Sequence, residues 1–279
     1  MTVKMKKLIQ KNRKEITSKH KSLSIQFSLD GFSFCIKDIP SKEPLLLSEY
    51  TFNKTLENPH LLEEKIKNIF ETDKELQVEF DRITAIHQNQ LVTQIPEDFF
   101  DENNLKSYLD YNIKTFSTDY ITYDNLESLE AKNVYIPYVN VNNFLFQNFG
   151  EFEYKHYSTI LLEHLVKNHS KDSKDSMYVN VSQKSIDIII FKQGHFTLFN
   201  SFQYNSKEDF LYYILFVAEQ LELNSESFLL HFLGNINQDF STFVLVKEYV
   251  KNVNFIEVDN NSLEESEHFF PHSNYILLS

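Results

Sequence analysis

The sequence predicts an α/β protein of two similar lobes, each with a mixed sheet flanked by helices. Two stretches, 22–37 (SLSIQFSLDGFSFCIK) and 176–191 (SMYVNVSQKSIDIIIF), share one pattern: an alternating apolar strand, a short polar turn and a second apolar strand. They lie 154 residues apart. A hairpin that recurs with different residue identities indicates a doubled unit. The chain has 279 residues, 42% of them hydrophobic, which is enough for an ordinary core in each lobe.

The first half continues this pattern beyond its hairpin. Leu23, Ile25 and Phe27 alternate with polar residues and predict one buried strand face. A third strand is predicted at 44–52, followed by a helix that Asn58 caps and Pro59 opens. Further elements are predicted at 77–86, 90–95 and 133–138 (strands) and at 104–111 and 158–168 (helices), with a short helix or turn at 144–149.

The second half repeats the order. Met177, Val179 and Val181 match the alternating residues of the first copy, and Ser206 with Asp209 predicts a capping box at a helix start. The other predicted elements are strands at 196–204, 228–232 and 253–258 and a helix at 242–250. The polar run 169–176 is the expected boundary, which gives a basic leader at 1–21, a first lobe at 22–170 with a small insertion at about 97–130, and a second lobe at 171–279.

Charge is divided unevenly along the chain. Residues 1–21 contain eight Lys and Arg and one acid, so they carry +7, whereas the rest of the chain carries −20. An acidic body repels nucleic acid and anionic membranes, so only the basic leader is a candidate to contact either. We expect the leader itself to be a solvated terminus.

The compartment is indicated by what the sequence lacks. Cys35 is the single cysteine, which excludes an internal disulfide and a thiolate metal cluster and is typical of a reducing compartment. No signal peptide or stretch of about 18 apolar residues is present. We therefore expect a cytoplasmic protein without a transmembrane segment.

Glycine is too scarce for a phosphate-binding loop. The chain has only Gly31, Gly150, Gly194 and Gly234, whereas loops that wrap phosphates need clustered glycines for close backbone approach. Neither a Walker loop nor a dinucleotide fingerprint is present.

Two halves that each begin with a hairpin and a third strand and continue into a helix resemble the actin-like ATPase fold, which is built from two ribonuclease H-like lobes. Actin, sugar kinases, Hsp70 chaperones and the pilus-assembly protein PilM share this fold. The resemblance covers the chain from about residue 22. More narrowly, the chain is similar to a bacterial family of unknown function assigned to this fold.

The resemblance implies where a nucleotide cleft would place its residues. In this superfamily the first strand of each lobe carries an Asp that helps to hold magnesium and, two residues later, a Gly before the phosphate-binding turn. Gln26 and Ser28 occupy these positions in the first lobe, and Asn180 and Ser182 occupy them in the second. Neutral side chains cannot supply the carboxylate charge that a hard cation favours.

Two further features match the cleft motifs only in part. Asp30-Gly31 lies in the first turn but two residues beyond the expected glycine, and the same pair is typical of a simple tight turn. Gly234-Asn235 supplies half of the glycine pair that packs on the nucleoside in the superfamily, although strand ends also use glycine for geometry alone.

These observations favour a non-catalytic, actin-like pseudo-ATPase that acts as a protein-interaction or scaffold module without a cofactor. The alternative is a nucleotide-binding protein or slow ATPase of the PilM type, which would use ATP and magnesium. A third hypothesis is a basic-arm adaptor for RNA or membrane. Each hypothesis depends on residues that the fold must bring together.

Overall fold

The computed structural model describes residues 5–12, 19–169, 174–258, 262–264 and 269–279. The chain divides into two compact units, the first ending at Glu163 and the second beginning at His164. Of the short C-terminal stretches, 262–264 belongs to the first unit and 269–279 to the second. The basic residues at 13–18 and most of the predicted polar boundary, 170–173, lie outside the described residues.

The first unit is built around a six-stranded sheet and carries a smaller three-stranded one. Its elements in chain order are β1 Met5–Lys11, β2 Lys21–Ser28, β3 Gly31–Asp38, β4 Pro44–Phe52, α1 Pro59–Thr72, β5 Arg82–His87, β6 Val92–Pro96, α2 Leu105–Asp110, β7 Thr122–Leu126, β8 Ala131–Tyr135, α3 Val139–Phe149, β9 Glu153–His156 and α4 Tyr157–His169. α4 begins in the first unit and extends beyond Glu163.

The second unit is built around a five-stranded sheet. Its elements are β10 Ser176–Val181, β11 Ser185–Lys192, β12 His195–Gln203, α5 Lys207–Gln220, β13 Leu229–Gly234, α6 Ser241–Lys247, β14 Asn252–Phe255 and α7 Tyr275–Leu278.

Both large sheets have the same topology, which confirms the duplicated fold. The first has the order β1-β4-β3-β2-β5-β9, and the second has the order β12-β11-β10-β13-β14. In each, three antiparallel strands are followed by two parallel ones. The first sheet differs by one added edge strand, β1.

The helix starts follow the capping chemistry in the sequence. Asn58 Oδ1 accepts a hydrogen bond from the Leu61 N–H at 3.1 Å, so α1 begins directly after it. Ser206 and Asp209 form the reciprocal capping box of α5. Both predicted helix starts are confirmed.

The alternating residues of the repeated strands lie in the cores. Leu23, Ile25 and Phe27 pack with the buried face of α1, and Val179 and Val181 pack in the second core. All five side chains are at most 4% exposed. The α1 residues that share the first core are Leu62, Ile66, Ile69 and Phe70.

The expectation of a solvated leader is wrong for residues 5–11. β1 pairs antiparallel with β4 along its length, and Lys7 Nζ lies 2.7 Å from Asp73 Oδ2. Tyr50 donates its hydroxyl to the same carboxylate oxygen at 2.6 Å. The lysines of this strand led to the prediction of a solvated segment. They are compatible with an edge strand, which tolerates charge on its exposed side.

Three predicted strands differ most from their predicted bounds. The strand expected at 77–86 begins only at Arg82, because Asp73 caps a short 3₁₀ turn at Lys74–Leu76. The strand expected at 133–138 is Ala131–Tyr135, since helix α3 begins at Val139. The strand expected at 253–258 is Asn252–Phe255.

His87 is buried in the first unit as a neutral imidazole. Its Nδ1 accepts the Tyr138 N–H at 3.0 Å, so Nε2 carries the proton and donates it to Asn142 Oδ1 at 2.9 Å. Burial lowers the pKa of His87 to about 3.

His156 is buried in the same way. Its Nε2 donates to the Asn89 carbonyl at 3.1 Å, which leaves Nδ1 as an acceptor for the Ser158 hydroxyl at 2.7 Å. Burial, together with the nearby His87, lowers the pKa of His156 to about 3. Both rings therefore resist protonation in the folded state.

We expect truncation of the core strands to destabilise the protein. Phe27→Ala removes a buried aromatic side chain and costs about 3–5 kcal/mol of unfolding free energy, and Val181→Ala costs less. Denaturant unfolding measures both losses. The half-exposed Val78 (43% exposed) provides the control, because Val78→Ala changes the unfolding free energy by only about 0.5 kcal/mol. Equal midpoints in all three variants would contradict the assignment of the core.

The anchoring of β1 predicts a specific tyrosine effect. Burial raises the Asp73 pKa, but hydrogen bonds from Lys7 and Tyr50 outweigh burial and hold that pKa below its ordinary value. Tyr50→Phe removes one donor from this buried carboxylate and costs about 1–3 kcal/mol of unfolding free energy. The same substitution at the exposed Tyr212 is the control, and equal unfolding curves for the two variants would exclude the anchoring role.

The two buried histidines predict acid lability. Their folded pKa lies below the unfolded value of about 6.5, so their contribution to stability is complete above that pH and is lost as pH falls toward 3. Between these pH values, each histidine contributes about 1.4 kcal/mol per pH unit to the slope of the unfolding free energy against pH. His87→Gln should reduce the slope of unfolding free energy against pH by that amount between pH 4 and 6. The exposed His60 provides the control, and an unchanged slope in His87→Gln would refute the prediction.

Candidate functional site

Hydrogen bonds within the first unit stabilise the turn of the first hairpin. Ser28 and Gly31 are paired across the turn, and Leu29 and Asp30 are its two central residues. The Asp30 N–H donates to Ser28 Oγ at 3.1 Å, and Thr55 donates its hydroxyl to Asp30 Oδ1 at 2.6 Å. The Asp30 carboxylate therefore orders the loop before α1.

Gly31 is required by strand packing. A Cβ at this position would lie 2.7 Å from the Tyr50 carbonyl oxygen, closer than side-chain carbons approach backbone oxygens. Because glycine has no Cβ, strands β3 and β4 can approach each other closely at the first residue pair of their ladder.

Gln26 is engaged within its own sheet. It lies on β2, and its Nε2 donates to Gln88 Oε1 at 2.7 Å. The Gln88 N–H in turn donates to the Phe27 carbonyl at 3.0 Å. The amide at this position thus ties β2 to the chain that follows β5.

In the second unit, Asn180 faces an acid that the sequence analysis did not single out. Asn180 on β10 is paired with Asp187 on β11, and both side chains are buried. Asn180 Nδ2 donates to Asp187 Oδ2 at 2.8 Å, and Ser201 donates its hydroxyl to Asp187 Oδ1 at 2.6 Å. Asp187 was detectable in the sequence as a lone acid inside the apolar run IDIIIF.

Parallel pairing of β13 with β10 brings Gly234 and Asn235 to the end of β10. Gly234 has a φ of +82°, and a Cβ there would lie 2.4 Å from the Val181 carbonyl and 2.8 Å from Asn180 Oδ1. The Asn235 N–H donates to the same Val181 carbonyl at 2.7 Å. Glycine is therefore dictated by backbone conformation and by close strand approach.

Ser182 closes the second hairpin. Its N–H donates to the Ser185 carbonyl at 2.9 Å, and its carbonyl accepts the Tyr204 hydroxyl at 2.8 Å. The structure thus gathers Asn180, Ser182, Gly234 and Asn235 at one end of the second sheet. Gln26, Ser28, Asp30 and Gly31 lie at the corresponding end of the first.

The acids at these two strand ends accept hydrogen bonds from the protein itself. Among the described residues, no group of three or more His, Cys, Asp or Glu side chains is arranged to hold a metal ion. The Asp187 carboxylate accepts protein hydrogen bonds at both oxygens.

No helix in the described part of the chain is long and apolar enough to span a membrane.

Solved structures share this fold. A Bacteroides thetaiotaomicron protein described as having an actin-like ATPase fold and unknown function is 27% identical, with a TM-score of 0.76 over 86% of this chain and 91% of that chain. PilM in a PilM–PilN type IV pilus biogenesis complex is 11% identical, with a TM-score of 0.54 over 85% and 88% of the two chains. No curated protein matches the sequence significantly.

The sequence also matches one family over most of its length. The profile of a family described as protein of unknown function (DUF3822) matches residues 10–253. Together with the shared sheet topology, this match shows that the chain belongs to the DUF3822 family and has the actin-like ATPase fold.

Proposed function

We propose that this protein is a non-catalytic member of the actin-like fold that serves as a protein-interaction or scaffold module. The observation that carries the proposal is the use of the two positions where the superfamily places its acids. Both hold amides, Gln26 and Asn180, and each amide donates a hydrogen bond within its own unit.

Charge supports this proposal. Magnesium beside a triphosphate favours carboxylate ligands, and a neutral amide provides no compensating negative charge. The chain as a whole carries a net charge of −13, which disfavours an anionic ligand in the absence of local basic groups.

The glycines support it as well. Gly31 and Gly234 are each required by a close backbone approach within the protein, to the Tyr50 and Val181 carbonyls. Their presence therefore needs no phosphate ligand as its explanation.

The inserted segment 97–130 offers a surface for a partner. It contains nine acids and two lysines, which suits a basic partner. Four of its aromatic side chains are at least half exposed, as is typical of interaction surfaces: Phe99, Tyr111, Phe116 and Tyr120. The PilM–PilN complex is a precedent for a protein partner on this fold.

We place this function in the cytoplasm, because a single cysteine is typical of a reducing compartment.

Nucleotide binding is the second candidate, and Asp187 is the observation that favours it. This buried carboxylate lies next to Asn180 and supplies, from the neighbouring strand, one negative charge at the position where the superfamily has an acid. Binding of this kind would require Asp187 to exchange its protein donors for a metal or its water.

Calorimetry with ATP and magnesium separates the two candidates. We expect no magnesium-dependent binding near 10 µM, which would correspond to about −6.8 kcal/mol. We also expect no ATP hydrolysis and very little rise in melting temperature with millimolar ATP. Binding at that affinity would overturn the non-catalytic proposal.

Two variants make the test specific. Asp187→Asn keeps the side-chain shape and removes the carboxylate. ATP binding by the wild-type protein that is lost in Asp187→Asn would establish the second candidate. The double variant Gln26→Asp with Asn180→Asp restores both acids. We expect it to remain inactive as an ATPase because the turns still lack their glycines.

A further inference from the structure

Helix α5 is hydrophobic around its whole circumference, although only one side of it is buried. Its central residues, Phe210–Ala218, read FLYYILFVA and contain no charged side chain. Phe210 and Ile214 are buried in the second core, whereas Tyr212 and Phe216 are 58% and 39% exposed. A helix that is hydrophobic on all sides is normally buried on all sides. The outer side of α5 therefore has the composition of a covered surface.

The exposed hydrophobic side chains of the second unit are concentrated around this helix. In the described part of that unit, each large hydrophobic side chain that is exposed lies on α5, on α6 or within two residues of α6. These side chains are Tyr212, Phe216, Phe240, Val244 and Tyr249. The Tyr212 and Phe216 rings stack with their centroids 5.7 Å apart. A continuous exposed patch of this kind is typical of an interaction surface.

A groove of about 330 Å³ lies between α5 and α6. On the α6 side it is lined by Leu245 and by Tyr249, which follows the helix. On the α5 side its lining residues are spaced as i, i+3, i+4, i+7, i+8 and i+11, so they form one stripe along the helix. The stripe consists of Glu208, Leu211, Tyr212, Leu215, Phe216 and Glu219.

A glutamate lies at each end of this stripe. Glu208 and Glu219 are eleven residues apart (219 minus 208), which is about 16–17 Å along the helix axis. The described residues that line the groove include no Lys, Arg or His. Lys207 lies 3.9 Å from Glu208, but both side chains are at least half exposed, so solvent weakens this pair. The groove is therefore hydrophobic in the middle and negative at both ends.

The walls of the groove favour a helix as its occupant. The stripe and Leu245 are helical, so the described lining offers no strand edge whose backbone could bond to an extended chain. A bound segment must therefore satisfy its own backbone hydrogen bonds, as a helix does. The hydrophobic face of an amphipathic helix fits a hydrophobic groove of this kind through residues at i, i+3, i+4 and i+7.

The two glutamates select the charge of that helix. A Lys or Arg near each end of the occupant would complement Glu208 and Glu219. A second copy of this chain is disfavoured, because an isologous contact would bring the same glutamates of both copies together. An anionic membrane surface is disfavoured for the same reason, and the chain as a whole carries −13.

We propose that the α5–α6 groove binds an amphipathic helix of another protein, with hydrophobic residues in its middle and a Lys or Arg near each end, about eleven residues apart. The hydrophobic residues pack on Tyr212 and Phe216, and the two cations lie beside Glu208 and Glu219. This proposal rests on the proposed function, because it gives the interaction module a site and a partner class. The groove belongs to the second unit, whereas the inserted segment 97–130 belongs to the first.

Selection from a peptide library tests the proposal on the full chain. The library consists of helical peptides of about 18 residues in which six positions, spaced as in the α5 stripe, are varied among Leu, Phe, Lys, Arg, Asp and Glu. We expect the enriched peptides to carry Leu or Phe at the four central positions and Lys or Arg at both end positions. One enriched peptide is then measured by calorimetry against variants of the protein.

Variants of the groove should weaken binding of this peptide. Tyr212→Ala with Phe216→Ala removes the exposed rings, and we expect the dissociation constant to rise at least about tenfold. Glu219→Lys should raise it about fivefold. Exchanging the basic residue at one end of the peptide for Glu should restore binding to Glu219→Lys, and the same exchange at the other end should restore binding to Glu208→Lys.

Two matched controls should leave the affinity unchanged. Tyr111→Ala removes a ring that is 86% exposed in the inserted segment, and Glu71→Lys makes the same charge change at an exposed position on α1. Circular dichroism verifies that every variant is folded.

Three results would overturn the groove proposal. The first is a selection that enriches no peptide, or that enriches peptides with acidic end positions. The second is binding that is lost in Tyr111→Ala but intact in the groove variants, which would move the interface to the inserted segment and leave the proposed function standing. The third is flotation with phosphatidylglycerol vesicles that requires Tyr212 and Phe216. The proposed function fails separately, through magnesium-dependent ATP binding by the wild-type protein.

Discussion

The structure depends on burial of one apolar face of each central strand, β2 and β10, against the helices of its own unit. Alternation along these strands directs Phe27 in one unit and Val181 in the other into separate cores. A shift of register by one residue would turn every such side chain to the opposite face. The same constraint acts twice, and it explains why two hairpins with different residues form sheets of the same strand order.

The opposite faces of these strands carry polar residues that bond within the protein. In the second unit, Asn180 and Asp187 satisfy each other in a buried pair that Ser201 completes. In the first, the equivalent position holds Gln26, which binds Gln88. Polar groups on buried strands must be paired, and here the protein itself supplies the hydrogen-bond partners.

The sequence largely determined the architecture. Alternation and helical spacing predicted both hairpins, the third strands and the caps of α1 and α5, because these patterns are local. It also identified the polar residues at the ends of both central strands, Gln26, Ser28, Asn180 and Ser182, since strand alignment fixes which residues precede each turn. β9 escaped prediction because it is four residues long, and β7 because its charged and polar residues hide its alternation.

Only the tertiary structure decided what depends on residues distant in sequence. The lysines that suggest a solvated leader instead lie within strand β1, because β4 offers an edge for pairing and the Asp73 carboxylate, 66 residues away, accepts a hydrogen bond from Lys7. Glycines that resemble motif remnants are explained by carbonyl oxygens of neighbouring strands. Asp187 gained its place beside Asn180 from the hairpin register. Sequence patterns record which face a residue occupies, but pairing, close approach and burial of polar groups are set by contacts between elements that the fold alone brings together.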